Sequence, residues 1–223
     1  MIDFHAHVLP GLDHGSDNED VTQWQLKEAY ENGIDILVAT SHFYPHRENV
    51  NSFLDRRKKA VERLETVERS VRIVLAAEVL LCPNMDRLEG LEQLCLQGTD
   101  VLLLEMPDEE QWEECLFDTI YNIKHKGIRV VIAHVDRYKY KNVKRLLECD
   151  VEVQLNADFV RTLSGRKIFR ECLERECLVA MGSDIHGQKT GYKYFARYMK
   201  KYIGVAAEIN DKTKALLKNA RVL

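Results

Sequence analysis

Short apolar runs alternate with longer charged segments along almost the whole sequence. Seven of these runs have the length and composition of buried β-strands: MIDFHAH at residues 1–7, then 35–42, 71–79, 100–106, 128–135, 150–157 and 177–186. The segments between them carry apolar residues at helical spacing among Lys, Arg and Glu, as at 20–32, 52–69, 109–126, 138–148 and 165–176. This alternation predicts a parallel sheet with crossover helices, and the near-continuous apolar strands predict that both faces of the sheet are covered.

No change in composition divides the chain into two parts. The 223 residues are 45% hydrophobic and 30% charged, with few prolines, as in an ordinary globular protein. A chain of this length forms one large α/β domain or two small ones, and the sequence contains no linker between two halves. We therefore expect a single domain over residues 1–223.

The net charge and the hydropathy argue against several classes of protein. A formal charge of -4 and a pI near 6.1 give no electrostatic basis for binding nucleic acid or an anionic membrane. No apolar run is long enough to span a bilayer, so we expect no membrane insertion. A secretory signal peptide is not expected either, because Asp3, His5 and His7 interrupt the region where its apolar core would lie.

The six cysteines are scattered along the chain and form no C-x-x-C pair. Without a secretion signal, this pattern indicates reduced, mostly buried thiols, and we expect a cytoplasmic protein. No cysteine is followed six residues later by an arginine. The sequence therefore lacks the C-x5-R loop of thiol-based phosphatases.

Acids and histidines stand at the ends of the apolar runs. Nine such side chains lie at run ends or in the loop after the first run: His5, His7, His14, His42, Glu78, Glu105, His134, Asp184 and His186. In a β/α barrel the active-site residues stand at the carboxyl ends of several strands. Because six of the eight histidines occupy such positions, we expect these nine side chains to meet at one rim of a barrel.

The two histidines of the first run can be read as metal ligands or as structural residues. Side chains two apart in a strand point to the same face, so His5 and His7 aim at one point. The alternative is a pair of ordinary histidines near a chain terminus. For Glu78 and Glu105, burial without a partner is costly, and the partner is either a cation or a Lys or Arg side chain. One ion needs about four to six donors, so nine donors favour two or three ions bridged by carboxylates.

The types of donor limit the metal and the reaction. Imidazole and carboxylate without thiolate suit manganese, iron or zinc. Paired ions hold the attacking and leaving oxygens of a phosphoryl group and lower the pKa of bound water, which predicts hydrolysis of a phosphate ester. Amide or lactone hydrolysis at a binuclear centre fits the same residues. Asn156 and Asp158, after the sixth run, are candidates for orienting the ligands.

Six motifs occur in a fixed order: MIDFHAHVLPGLDHG, ATSHFYPH, AAEVLL, LLEMP, IAHVDRY and GSDIHG. Together they resemble the polymerase-and-histidinol-phosphatase (PHP) superfamily, and within it the manganese-dependent protein-tyrosine phosphatases of bacterial capsule and exopolysaccharide loci. The resemblance covers residues 1 to about 190 and implies a distorted TIM-like (β/α)7 barrel with a trinuclear Mn²⁺ site. It implies that Arg137 binds phosphate and that the metal ligands are His5, His7, His42, Glu78, Glu105, His134, Asp184 and His186.

Two departures from the family pattern affect the site. The family has Asp-Asp-Gly, with the second Asp as a ligand, where this chain has Asp13, His14 and Gly15. Either His14 supplies a nitrogen ligand in its place or Asp13 takes over the role. The family often carries an arginine shortly after S-D-x-H, where this chain offers Lys189 and Lys193. Lysines are point charges and not bidentate donors, so we expect Lys189 to assist substrate binding with lower phosphate affinity or a different substrate preference.

The resemblance implies a metal-dependent phosphatase that acts on phosphotyrosine in proteins. Its implied substrate is a bacterial tyrosine kinase, and its implied role is the regulation of capsule and exopolysaccharide synthesis. Arg137 would stabilise the phosphate oxygens, and bound water or His14 would return the proton to a phenolate leaving group with a pKa of about 10. The alternatives are a small-molecule phosphatase such as one for histidinol phosphate, or a degenerate barrel that only binds a partner. An exonuclease is disfavoured by the acidic charge.

Overall fold

Eight strands form one parallel sheet in the computed structural model, which describes residues 1–187 and 192–223. Seven of the strands coincide with the seven predicted runs, and the last run continues into a short eighth strand. The strands are β1 (Ile2–His7), β2 (Ile36–Phe43), β3 (Arg72–Leu80), β4 (Val101–Glu105), β5 (Arg129–Ile132), β6 (Glu152–Asn156), β7 (Leu178–Gly182) and β8 (Ile185–His186).

Helices connect most of the strands, as the alternating pattern predicts, whereas β3 and β4 are joined through two short 3₁₀ turns, Met85–Arg87 and Leu91–Leu94. The helices are α1 (Glu19–Glu31), α2 (Val50–Leu64), α3 (Glu114–His125), α4 (Tyr140–Leu146), α5 (Leu163–Glu174), α6 (Lys193–Lys201) and α7 (Ile203–Leu216). The side chains of Asn18, Asn49 and Thr162 cap α1, α2 and α5 by accepting a backbone N–H of the first turn. Helices α6 and α7 lie beyond the last predicted segment. Among the described helices, none combines the length and the apolar character needed to cross a bilayer.

The order of the strands shows that the sheet curls back on itself. From edge to edge the order is β7-β6-β5-β4-β3-β2-β1-β8. The two edge strands are consecutive in the chain, and only Ser183 and Asp184 separate them. Two residues cannot span a flat eight-stranded sheet, since neighbouring strands are about 4.8 Å apart. The edges therefore meet, and the predicted barrel-like α/β fold is confirmed.

The side chains on one face of the sheet follow the same pattern on three neighbouring strands. Apolar side chains occupy the start of that face, and a candidate ligand occupies the carboxyl end: Val38, Thr40 and His42 on β2, Val74, Ala76 and Glu78 on β3, and Val101, Leu103 and Glu105 on β4. Thr40 is the one polar residue in these lower positions, and the five apolar side chains belong to one buried cluster. His42 and Glu78 are level with each other in the β2–β3 pair. The apolar layer thus forms a floor beneath the site.

Strand β1 contains a register shift that turns both of its histidines toward the site. Asp3 is level with Leu37 of β2, whereas Ala6 is level with Ala39, so three steps along β1 match two steps along β2. In a regular ladder the two histidines would share a face with Leu37 and Ala39. The extra residue reverses this, and the rings point to the face that carries the ligands of β2 and β3.

Candidate metal centre

The structure brings eight of the nine predicted ligands together at one end of the barrel. Their ligand atoms form four overlapping groups of three, and within each group the atoms lie within 4.8 Å of one another. The groups are His5, His7 and Asp184; His5, Glu78 and His134; His7, His42 and His186; and His42, Glu78 and Glu105. Because His5, His7, His42 and Glu78 each belong to two groups, adjacent cations could share ligands here.

Glu78 lies at the centre of this cluster and is 1% exposed. Its Oε2 is 3.0 Å from His42 Nδ1, 3.2 Å from His5 Nε2 and 3.3 Å from His7 Nε2. Its Oε1 is 2.8 Å from Nε2 of His134. Burial opposes the charge of Glu78, but the surrounding imidazoles, His5 foremost, hold the pKa of this carboxyl well below its usual value. One carboxylate therefore faces four imidazole rings.

The rings of His5 and His7 turn their Nε2 atoms toward each other at a distance of 3.1 Å. The Nδ1 atom of His7 lies 3.0 Å from Oδ2 of Asp13, and that of His5 lies 3.1 Å from Oε1 of Gln154. Both partners are hydrogen-bond acceptors, so each neutral ring carries its proton on Nδ1. Two nitrogen lone pairs then face each other across 3.1 Å, an arrangement that repels unless a cation or a proton lies there.

Several buried atoms of the cluster have no hydrogen-bond partner. Across the described residues, eight buried side-chain nitrogen and oxygen atoms are in this state, and four belong to the candidate ligands. These four are His42 Nδ1, Glu78 Oε2, His134 Nδ1 and His186 Nε2; the first two lie 3.0 Å apart but not in hydrogen-bonding geometry. A buried polar atom without a partner costs about 1–3 kcal/mol. Together with the facing lone pairs, these atoms make the cluster a good fit for divalent cations.

Electrostatics within the cluster favour added positive charge. Burial and the neighbouring charge of Glu78 raise the pKa of Glu105 to about 7. Burial also opposes protonation of His5, but the charges of Glu78 and Asp184 outweigh it and raise the pKa of this ring. In the absence of a cation, protons thus neutralise part of the carboxylate charge. Divalent ions would take over this role.

Two candidate ligands hold unusual backbone conformations. His134 follows β5 with φ of 33°, and Asp184 follows β7 with φ of 50°. This left-handed region is costly for residues other than glycine and persists only where surrounding contacts enforce it. For Asp184, one such contact is its backbone N–H, which donates to the carbonyl of His5 at 2.7 Å. The strain places both side chains at the mouth of the barrel.

Asp13 fixes the orientation of His7. Its Oδ2 accepts from His7 Nδ1 and, at 3.1 Å, from the backbone N–H of His42, while its Oδ1 accepts from Gly15 at 2.9 Å. The turn packs so tightly that a Cβ added to Gly15 would lie 2.0 Å from Cβ of His7. Burial opposes the charge of Asp13, yet the hydrogen bond from His7 keeps its pKa well below the usual value. Asp13 thus orients His7 by binding its Nδ1, the ring nitrogen opposite the one that faces His5.

The sequence matches a known protein family over almost its whole length. The family described as capsular polysaccharide synthesis, CpsB/CapC, matches residues 1–221. The chain belongs to the CpsB/CapC family. It is 27% identical over 208 residues to the tyrosine-protein phosphatase CpsB of Streptococcus pneumoniae, covering 83% of each chain. It is 23% identical over 203 residues to the tyrosine-protein phosphatase YwqE of Bacillus subtilis (strain 168), covering 85% of this chain and 79% of YwqE.

A solved structure shares the fold of this CpsB/CapC-family chain. It comes from a study of YwqE from Bacillus subtilis and CpsB from Streptococcus pneumoniae, described as unique metal-dependent tyrosine phosphatases. The TM-score is 0.82 at 20% sequence identity, and the match covers 100% of this chain and 96% of the other. The likeness supports the barrel-like fold along the full length of the described chain.

His14 lies at the rim of the candidate metal centre and belongs to none of its four ligand groups. Its exposed ring stacks on His42, with centroids 4.7 Å apart and planes 9° apart, and it lies 4.6 Å from the ring of His186. Partial burial and the neighbouring charges of His186 and His42 lower the pKa of His14. The ring therefore faces the mouth of the site, next to two candidate ligands.

Arg137 contacts the candidate metal centre at Asp184. Its guanidinium forms an ion pair with Oδ2 of Asp184, and its side chain is 50% exposed. Lys189 lies outside the described residues. Lys193, the other predicted lysine, lies 5.1 Å from the ring of Tyr194. Arg137 is thus a positively charged side chain in contact with one predicted ligand, Asp184.

The sequence did not indicate the roles of two polar residues, Gln154 and Asp13. Gln154 contacts His5 and His134, and Asp13 supports His7. A signal for Gln154 exists, because Gln154 and Asn156 alternate with apolar residues on β6 and so share a face. Asn156 donates to Asp184 at 3.2 Å, as expected for an orienting residue, whereas Asp158 pairs with Arg161 at 3.5 Å.

Proposed function

We propose that this chain is a metal-dependent phosphatase that hydrolyses phosphotyrosine in proteins. The observation that carries the proposal is the pair of facing Nε2 atoms of His5 and His7, 3.1 Å apart beside the unpartnered Oε2 of Glu78. Family membership and the similarity to CpsB and YwqE, both named tyrosine-protein phosphatases, supply the substrate class.

Two or three Mn²⁺ ions are the proposed cofactor, with iron or zinc as alternatives. Their ligands would be His5, His7, His42, Glu78, Glu105, His134, Asp184 and His186, with His14 as an additional donor. Donors of this kind suit these ions, and the four groups share enough ligands for adjacent sites. When bound, the ions would supply charge neutralisation at the phosphate and activation of water.

Arg137 is proposed to bind the non-bridging oxygens of the phosphate. Its Nη2 contacts Asp184, and half of the side chain is exposed. A guanidinium has five N–H donors in a planar fork, so several remain for phosphate. His14, exposed at the rim, is placed to hold the proton that the leaving phenolate takes up. A phenol with a pKa of about 10 needs little help from an acid.

The surface around Arg137 supports a protein substrate. Two clefts meet at Arg137 and Asp158. The cleft on one side is lined by Tyr194 and Phe195, and the cleft on the other side by Arg161 and residues at the start of α5. An open surface on both sides of the phosphate site would accommodate the polypeptide that flanks a phosphotyrosine. A bacterial tyrosine kinase of a capsule or exopolysaccharide locus is the proposed substrate.

The proposal also places residues 1–223 in a single phosphatase domain that acts in the cytoplasm. Lys189 is proposed to assist Arg137 in substrate binding. Both points rest on the sequence, through the cysteine pattern and the position of Lys189 after the S-D-x-H motif.

Reconstitution of the metal-free protein tests the function. The protein is loaded with Mn²⁺, iron or Zn²⁺ and assayed with a phosphotyrosine peptide, histidinol phosphate, a lactone and a phosphoserine peptide. We expect Mn²⁺-dependent release of phosphate, fastest from the phosphotyrosine peptide. A preference for histidinol phosphate would replace the proposal with its small-molecule alternative. Metal binding without hydrolysis of any of these substrates would favour a binding protein.

A further inference from the structure

We propose that Gln154 and Asn156 form an amide bridge that positions three of the candidate ligands for cations. The amide bridge consists of the side chains of these two residues on β6. It contacts the ring of His5, the backbone of His134 and the carboxylate of Asp184. The inference rests on the proposed metal centre and concerns how the protein keeps its ligands in a metal-binding orientation.

A single backbone N–H sets the polarity of the bridge. The N–H of His134 can only donate, and it lies 2.8 Å from Oε1 of Gln154. This contact fixes which end of the Gln154 amide is oxygen. The same Oε1 lies 3.1 Å from Nδ1 of His5, so Nδ1 must carry the ring proton. The lone pair of His5 Nε2 is then free and points into the centre, toward Glu78.

The other end of the bridge follows from the same constraint. With Oε1 directed at His134, Nε2 of Gln154 donates to Oδ1 of Asn156 at 3.0 Å. The Asn156 amide must then present Nδ2 to Oδ2 of Asp184, at 3.2 Å. The other oxygen of Asp184, Oδ1, remains directed at the histidines of β1, 3.6 Å from His5 Nε2. The bridge therefore leaves one nitrogen and one oxygen free for a cation.

The side-chain amides of the bridge cannot flip without losing buried hydrogen bonds. Gln154 is 0% exposed, and a buried amide that loses its hydrogen bonds costs about 1–3 kcal/mol for each unmade bond. Gly182 of β7 provides the space for it, because a Cβ there would lie 2.5 Å from Cβ of His5 and 2.6 Å from Nε2 of Gln154. Asn156 is fixed in turn by its backbone N–H, which donates to Asp136 at 2.8 Å.

The bridge also contacts the two candidate ligands with left-handed backbones, His134 and Asp184. Gln154 accepts the N–H of His134, and Asn156 donates to the side chain of Asp184. Residues in this conformation need surrounding contacts to stay there. Gln154 and Asn156 are thus positioning residues: they act on the metal through the ligands that they orient.

Metal binding by the folded protein tests the bridge without reference to catalysis. The metal-free wild type and Gln154→Leu are titrated with Mn²⁺ in competition with a chromophoric chelator. We expect Gln154→Leu to bind Mn²⁺ about 10- to 100-fold more weakly. Gln25→Leu is the matched control, since Gln25 is also 0% exposed but donates only to the backbone carbonyl of His7. It is expected to lose stability with Mn²⁺ affinity within about threefold of the wild type.

A second readout reports the proton directly. In 15N-histidine NMR spectra of the metal-free protein at a pH where the His5 ring is neutral, we expect the Nδ1-protonated form in the wild type and its loss in Gln154→Leu. Asn156→Ala, which leaves the contact between Gln154 and His134 intact, serves if Gln154→Leu does not fold. It should keep the His5 form and still weaken Mn²⁺ binding.

The outcomes separate the bridge from the metal centre. Wild-type Mn²⁺ affinity in both bridge variants would overturn the bridge and leave the metal centre standing. An equal loss of affinity in Gln25→Leu and Gln154→Leu would also overturn it, because a general loss of packing would then explain the effect. A wild-type protein that binds no Mn²⁺ would overturn the metal centre and the bridge together.

Discussion

Arg137 and Asp184 form an ion pair in which the two carboxylate oxygens of Asp184 contact different groups. Oδ2 contacts the guanidinium, while Oδ1 lies 3.4 Å from Nε2 of His7 and 3.2 Å from Nδ1 of His186. A cation bound at Oδ1 and a phosphate bound by Arg137 would therefore be neighbours. The ion pair also holds the long side chain of Arg137 in place before substrate arrives, which lowers the entropy lost on binding.

Replacement of Arg137 tests this arrangement. Arg137→Ala should leave the metal content unchanged and lower turnover of an aryl phosphate by about 10- to 1,000-fold, because one charge-stabilising donor is lost. Arg137→Lys should recover only part of the rate, since an ammonium lacks the bidentate fork. Arg170→Ala, on the exposed side of α5, is the control. Wild-type kinetics in Arg137→Ala with metals intact would make Arg137 a structural partner of Asp184.

The exposed ring of His14 stacks on His42 at the mouth of the site. His14→Asp restores the carboxylate of the family pattern and should preserve or raise both metal content and phosphatase activity, measured by elemental analysis and steady-state kinetics. A carboxylate adds the negative charge that a further cation needs. A large loss of both quantities would mean that the site has been rebuilt around histidine.

The third prediction concerns Asp13. Asp13→Asn cannot accept hydrogen bonds from the His7 ring, His42 and Gly15 at the same time, because one oxygen becomes an NH₂ group. Mn²⁺ affinity should fall about 10- to 100-fold, as measured by chelator competition. Asp17→Asn, at an exposed position of the same loop, should bind Mn²⁺ as the wild type does. Equal affinities of the two variants would contradict the supporting role of Asp13.

The affinity of the centre for Mn²⁺ should depend on pH. Burial opposes the charges of His5 and His7, but hydrogen bonds and neighbouring carboxylates raise the pKa of both rings. Below these raised values the rings hold protons that a metal ion must displace, so Mn²⁺ affinity should rise with pH, by about tenfold per unit for each displaced proton. Calorimetry in two buffers of different ionisation enthalpy should detect proton release. Affinity that is flat between pH 6 and 8 would contradict the coupling.

Much of the site followed from the sequence because the ends of parallel strands meet at one place. His42, Glu78 and Glu105 each close an apolar run, and a barrel brings such ends together whatever the details of packing. The spacing of His5 and His7 likewise placed both rings on one face, which the structure confirms. These predictions needed only the strand period and the order of elements along the chain.

Other features depend on contacts between residues far apart in sequence. The register shift in β1 is set by its pairing with β2, and no residue type in the first run announces it. The resemblance implies phosphate as the partner of Arg137, and the structure adds an ion pair with Asp184. Gln154 was overlooked because a glutamine in a strand has no chemistry of its own, and its role arises from its neighbours on β1 and β5.

The closure of the barrel has a consequence for the biosynthesis of the protein. The candidate ligands extend from His5 to His186, and the strand that carries His186 pairs with β1 only when the sheet closes. A nascent chain on the ribosome that ends before residue 184 has the early histidines but lacks Asp184 and His186. The two groups that contain Asp184 or His186 can therefore form only after this segment is translated, and a cation bound there would stabilise the closed sheet by mass action.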